Sequence, residues 1–128
     1  MRAHERANGQ LRPIVFVPGY VRAVPGSVLC EQGHTRVVAT ATLEERVPPF
    51  LKRSGRGWVT AEYAMLPGSA GNQRVPRERG RINNRSGEIQ RFVGRALRTV
   101  FDARALGERT ITLDADVIQA DGSTRCAS

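Results

Sequence analysis

The sequence predicts an α+β domain, a β-sheet backed by helices. Three observations predict it. The first third is a series of short β-prone runs separated by turn residues, a single apolar stripe of helical period follows, and behind that comes a strictly alternating run. A helix stripe and a period-two strand in one short chain call for a layer of helix against a layer of sheet.

Residues 14–17 (IVFV) are β-prone and closed by Pro18-Gly19. Residues 27–31 form a second run behind the turn signal Val24-Pro25-Gly26, and Gln32-Gly33-His34 turns the chain into a third, residues 35–42, rich in Val and Thr. Such spacings suit an antiparallel meander. Residues 44–57, with Pro48-Pro49 and two glycines, read as a loop. Residues 58–63 alternate Trp/Thr/Glu against Val/Ala/Tyr, the pattern of a half-buried strand. Residues 66–84 have no hydrophobic period and are heavy in Gly, Arg and Asn, so they read as a long flexible loop. Ile89, Phe92, Val93, Ala96, Leu97 and Val100 then fall on one helical face, with Ser86 as the expected N-cap, Glu88 in the first turn and Gly107 beyond the end. Residues 109–118 set Ile111, Leu113, Ala115 and Val117 against Thr110, Thr112, Asp114 and Asp116, which is a strand. Asp121-Gly122 turns, and residues 123–128 are expected to open a second helix.

The 128 residues fit one domain, with 40% hydrophobic but only 5% aromatic residues, so the core should be aliphatic. No apolar run approaches the roughly 18 residues of a membrane span. The first ten residues are polar and lack the apolar stretch of a secretion signal, which makes a cytoplasmic protein the expectation. Cys30 and Cys126 have no metal-ligand or CxxC spacing and read as free, buried thiols. His4 and His34 suit surface or turn roles.

Charge is more informative. The net charge is +8, and every basic residue but Lys52 is arginine, whose planar fork matches phosphate oxygens two at a time. Residues 74–98 carry eight arginines against Glu78 and Glu88, hence +6 of the +8. Such a concentration points to a polyanion. Arg74, Arg77, Arg79, Arg81 and Arg91 are the candidate contacts to such a polyanion, which the resemblance described next makes RNA.

Five collinear stretches carry a resemblance. They are EERVPPFL (residues 44–51), GWVTAEYAMLP (57–67), EIQR with Gly94-Arg95 (88–95), ALGERTI (105–111) and DVIQADG (116–122). Together they cover almost the whole chain, and in them it resembles the N-terminal part of the ribonuclease PH family. The resemblance implies a fold like the second domain of ribosomal protein S-five, of which residues 1–128 form the N-terminal part. It implies a hexameric ring built as a trimer of dimers. The implied reaction is phosphorolysis, with inorganic phosphate as co-substrate: phosphate attacks the 3′-terminal phosphodiester of a tRNA precursor and releases a nucleoside diphosphate. Family members are about twice as long, and their catalytic and Mg²⁺-binding aspartates lie beyond Ser128. No catalytic or metal-binding residue is therefore assigned here, and Asp114 and Asp116 are read as supports of the basic cluster.

The family's phosphate site maps onto Arg85, before the long helix, and onto Ser123, Thr124 and Arg125 after the last strand. Each arginine stands at a helix start, where free N–H groups and the helix dipole favour an anion. Two departures stand out. The family's Gly-Gly-Thr-Arg reads Gly122-Ser123-Thr124-Arg125, which is costly if that second position needs positive φ. The family's Gly-Arg-Thr-Gln-Glu-Ile reads Asn84-Arg85-Ser86-Gly87-Glu88-Ile89. The expected function is phosphorolytic trimming of tRNA 3′ ends. The alternative is a non-catalytic RNA-binding or ring-forming unit.

Overall fold

A computed structural model describes residues 3–128. Five strands form one sheet: β1 (Ile14–Pro18), β2 (Gly26–Gln32), β3 (Thr35–Glu44), β4 (Trp58–Met65) and β5 (Thr110–Gln119), in the order β1-β2-β3-β5-β4. The first three are the expected meander, each antiparallel to the next. β5 adds antiparallel to β3, and β4 takes the outer edge parallel to β5. Parallel neighbours cannot be joined by a tight turn. The chain therefore crosses from β4 to β5 through the loop at 66–83, helix α1 (Asn84–Arg98) and a short helix α2 (Ala103–Leu106). A last short helix, α3 (Thr124–Ala127), follows β5.

Strand alternation decides which residues meet the helices. Val37, Ala115 and Val117 point to the helical side with Tyr63 and Ala61 of β4, and there they meet Ile89 and Val93 of α1 and Ala127 of α3. The core is aliphatic, with Ile89, Val37 and Val117 fully buried. Glu62, Asp114 and Asp116 face the opposite side.

Four expectations need correcting. The N-cap lies three residues earlier than Ser86: it is Asn83, its side chain accepting from the Ser86 N–H at 2.8 Å. Asn and Ser are near-equal caps, so local chemistry did not discriminate between them. Ser86 is instead buried on α1, and Glu88 lies beyond the first turn. The buried stripe is narrower than the apolar one, since Phe92 is 47% and Val100 81% exposed. One sheet edge offers α1 a narrow seat, and the helix ends before Val100. Between them, α2 went unforeseen; Asp102 caps it, accepting from the N–H groups of Arg104 (2.9 Å) and Ala105 (3.1 Å), and Gly107 ends this helix rather than the long one. Finally, Cys126 is exposed, while Cys30 is buried as expected.

The open face also places Glu62 directly beside Asp114. Burial, Asp114 and Asp116 raise the Glu62 carboxyl above its ordinary 4.5, and burial and Asp114 raise Asp116 above 3.8. A raised carboxyl binds protons more tightly in the folded state. It therefore stabilises the fold below its ordinary pKa, and that contribution is lost as pH rises through the raised value. Asp114→Asn should lift the melting temperature at about pH 7 and change it little at about pH 4. Thermal melts at the two pH values check this; an equal shift at both would show that repulsion among these carboxylates is not the cause.

Candidate functional site

β4 and β5 are parallel, so their C-terminal ends lie together, and the chain leaves each of them toward a helix start. The N-termini of α1 and α3 consequently open at one end of the sheet. Arg85, the second residue of α1, turns back over that end. Its Nη1 donates to the Tyr63 hydroxyl and its Nη2 to Thr124 Oγ1, both at 3.4 Å. The Tyr63 hydroxyl in turn donates to Thr124 Oγ1 at 3.2 Å. Tyr63 and Thr124 are buried, 4% and 5% exposed, and form a fixed polar floor under a guanidinium that stays exposed. Arg125 reaches the other way, from α3 to α1, where its Nη2 pairs with Glu88 Oε2 at 2.7 Å. That partner holds the Glu88 carboxyl below the usual carboxylate range. The sequence-predicted Arg85, Thr124 and Arg125 are thus brought together across the two helix starts, with a carboxylate on the second arginine.

Residues 121–123 are held tightly. Thr35, fully buried, donates through Oγ1 to the Gly122 carbonyl and accepts from the Asp121 N–H at 2.9 Å. Arg12 donates to the carbonyls of Asp121 and Gly122. His4 adds a contact to Asp121 at 3.0 Å and packs against the His34 ring, tilted at 58° with the centroids 4.7 Å apart. Under these restraints Ser123 adopts left-handed geometry, φ 61 and ψ 25. This is the positive-φ position at which the family pattern has glycine. A Cβ there costs about 1 kcal/mol or more. Ser123→Gly should raise stability by about 1 kcal/mol, part of it offset by the freer unfolded chain, and chemical denaturation measures it. A destabilised variant would mean that the Ser123 hydroxyl makes a compensating bond; it accepts no N–H bond to cap α3.

Beside Arg85 lies a cavity of about 630 Å³. It is lined by Tyr63, Met65, Asn83 and Arg85, by Arg77 and Ile82 of the long loop, and by Glu62, Asp114 and Asp116. Of the five arginines expected to contact RNA, Arg77 is therefore beside Arg85. Arg91 lies further along α1, in a second cavity with Arg95 and Arg98. Arg74, Arg79 and Arg81 are exposed on the loop and converge on neither. The start of that loop is stitched to the sheet: Val75 donates to the Pro67 carbonyl at 2.8 Å, and Ala120 to the carbonyl of buried Ser69 at 2.9 Å.

No ion pair among the described residues joins Asp114 or Asp116 to an arginine. Nor do the described residues include a cluster of three or more side chains suited to a metal ion. The described residues do not fit a Mg²⁺ site. Two participants carry no local signal in the sequence. Tyr63 looked like any core aromatic, and Glu88 like a helix-start acid. Both lie within the motif stretches, but only the fold aims them at Thr124 and Arg125.

The fold and site define an α+β domain with two arginines, Arg85 and Arg125, gathered at the C-terminal ends of two parallel strands. Residues 10–128 match the model of the 3′ exoribonuclease family, domain 1. The chain belongs to that family. It is 55% identical over 127 residues to the Ribonuclease PH of a Synechococcus strain, covering 99% of this chain and 52% of the relative. It is likewise 55% identical over 130 residues to the Ribonuclease PH of Bacillus subtilis, covering 100% and 53%. The chain thus spans about half the length of the curated relatives it matches. Among solved structures, the Archaeoglobus fulgidus exosome with RNA bound to the active site superposes with a TM-score of 0.83 at 23% identity, over 99% of this chain and 51% of that one. Rice Rrp46 superposes at 0.78 and 19% identity, over 98% and 55%. These likenesses show the fold, the RNase PH domain. No helix among the described residues is long and apolar enough to cross a membrane.

Proposed function

We propose that the chain supplies the phosphate-holding part of a phosphorolytic 3′-to-5′ exoribonuclease that trims 3′ extensions of tRNA precursors. One observation carries this reading: Arg85 and Arg125 cross between the starts of α1 and α3, over a buried Tyr63–Thr124 pair. Inorganic phosphate takes the place of the Glu88 carboxylate on Arg125 and accepts from Arg85, Thr124 and free N–H groups, with Ser123 adding a hydroxyl. Neutralised in this way, it is not repelled by the RNA phosphate it attacks. A phosphate oxygen bonds to the 3′-terminal phosphorus, and the bond from that phosphorus to the preceding ribose 3′ oxygen breaks. The products are a nucleoside diphosphate and an RNA one residue shorter. In this reading the acids that complete the chemistry, and the Mg²⁺ of the longer relatives, belong to the part of the family's length that this chain does not span. The working form is a homo-oligomeric ring in the cytoplasm.

The test is release of nucleoside diphosphate from a tRNA with a 3′ extension, with and without phosphate, by the chain as given and by the length its relatives have. Phosphate-dependent release supports the reading. RNA binding without release by either form favours a non-catalytic RNA-binding or ring-forming unit.

The loop beyond Val75 is proposed to be mobile in the absence of RNA and to grip phosphates in its presence. Replacing Arg77, Arg79 and Arg81 together by Ala should lower the log–log salt slope of tRNA binding by about 0.7–0.9 for each lost phosphate contact. An unchanged slope removes them from the RNA path.

A further inference from the structure

The Arg85 cavity is one end of a longer groove. It shares Gln90 with the cavity of Arg91, Arg95 and Arg98, and that cavity shares Arg98 with a third, of about 780 Å³, at the opposite end of β4. The three follow the seam between α1 and the free edge of β4. From Met65 to Trp58 the seam is about 23 Å long at the usual rise of a strand. Its middle is lined by three arginines and no acid. Arg56 and Arg104 stand at the far end, where Asp102 is already engaged as the α2 cap. No ion pair among the described residues uses Arg56, Arg77, Arg91, Arg95, Arg98 or Arg104. The far cavity is also aromatic: Trp58 and Phe101 line it, and Phe50 stands edge-on to Trp58 at 5.2 Å. The Arg98 guanidinium lies 4.1 Å over the Trp58 ring, and its Nε donates to the Val59 carbonyl at 2.8 Å.

We propose that this groove carries single-stranded RNA upstream of its 3′ end, with a nucleobase seated in the Trp58–Phe101 cavity. The inference rests on the function proposed above. Unpaired arginines along a groove supply a track for a phosphate backbone. A planar aromatic and guanidinium wall is what an unstacked base packs against. The same Arg98 bond covers a carbonyl on the edge of β4, which blunts addition of a protein strand at that place. The groove therefore sets a preference for substrates whose 3′ tail is unpaired for several nucleotides, since a duplex is too wide for a seam between one helix and one strand.

The test uses Arg95→Ala with Arg104→Ala, since both side chains are exposed. Binding of inorganic phosphate, of a trinucleotide and of a single-stranded RNA of about ten nucleotides is measured across a salt series. The long RNA should bind about tenfold more weakly, with a slope smaller by about 0.7 per arginine, while phosphate and trinucleotide binding are unchanged. The double Lys variant should keep the slope and confirm an electrostatic track. Unchanged affinity and slope for the long RNA, with phosphate binding intact, overturn the groove and leave the phosphate site standing. A shift of the Ala variant to a smaller assembly, without loss of RNA binding, assigns the groove to a second copy of the chain and overturns the proposal. A parent protein that binds neither phosphate nor RNA overturns the functional reading itself.

Discussion

Arg85→Ala should weaken binding of inorganic phosphate by about tenfold or more and leave the fold intact. A charge-assisted hydrogen bond contributes about 1.5–3 kcal/mol, and about 1.4 kcal/mol is a factor of ten. The fold should survive because the arginine's own bonds are long, 3.4 Å to both Tyr63 and Thr124, whereas those two side chains bond each other at 3.2 Å and remain paired without it. Arg125→Ala should also weaken phosphate binding, and it has a second signature. Glu88 loses the partner that depresses its carboxyl, so its titration should move back toward the ordinary range. Calorimetric titration with phosphate, beside a thermal melt of each variant, separates binding from folding. In a form competent for turnover, the same changes should raise the phosphate concentration for half-maximal rate more than they weaken tRNA binding. Full phosphate affinity in both variants would abolish the proposed site even though the family assignment stands.

Ile89→Ala should have the largest effect on stability, a loss of about 2–5 kcal/mol, because it empties a fully buried position between α1 and the sheet. Against a typical total of about 5–15 kcal/mol, such a loss brings the chain near unfolding. Phe92→Ala on the same helix should change stability by only about 0.5 kcal/mol, since Phe92 is 47% exposed. Denaturant titration of the pair is decisive about the seat of α1. Equal losses would mean that the helix buries the whole apolar stripe, contrary to the packing seen here.

Period and turn chemistry are local properties, so the meander, the long helix and the alternating last strand were all legible from the chain. The motif stretches likewise pointed to the family and, through it, to Arg85, Thr124 and Arg125. Where two neighbours offered equal chemistry, local reading failed: Asn83 and Ser86 are comparable caps, and only the fold selected Asn83.

The sequence by itself determined that this protein is an α+β member of an exoribonuclease family with its positive charge gathered on residues 74–98. The tertiary structure alone decided which of those charges converge. Pairing β4 parallel to β5 brings two strand ends to one place, and with them two helix starts separated by forty residues of chain. That puts Arg85 on Thr124, Glu88 on Arg125 and buried Tyr63 beneath them, while Arg79 and Arg81 stay out on the loop. The run of cavities from Arg85 to Trp58 has the same origin. These are relations between distant segments, set by strand order and packing, and no local pattern in the chain encodes them.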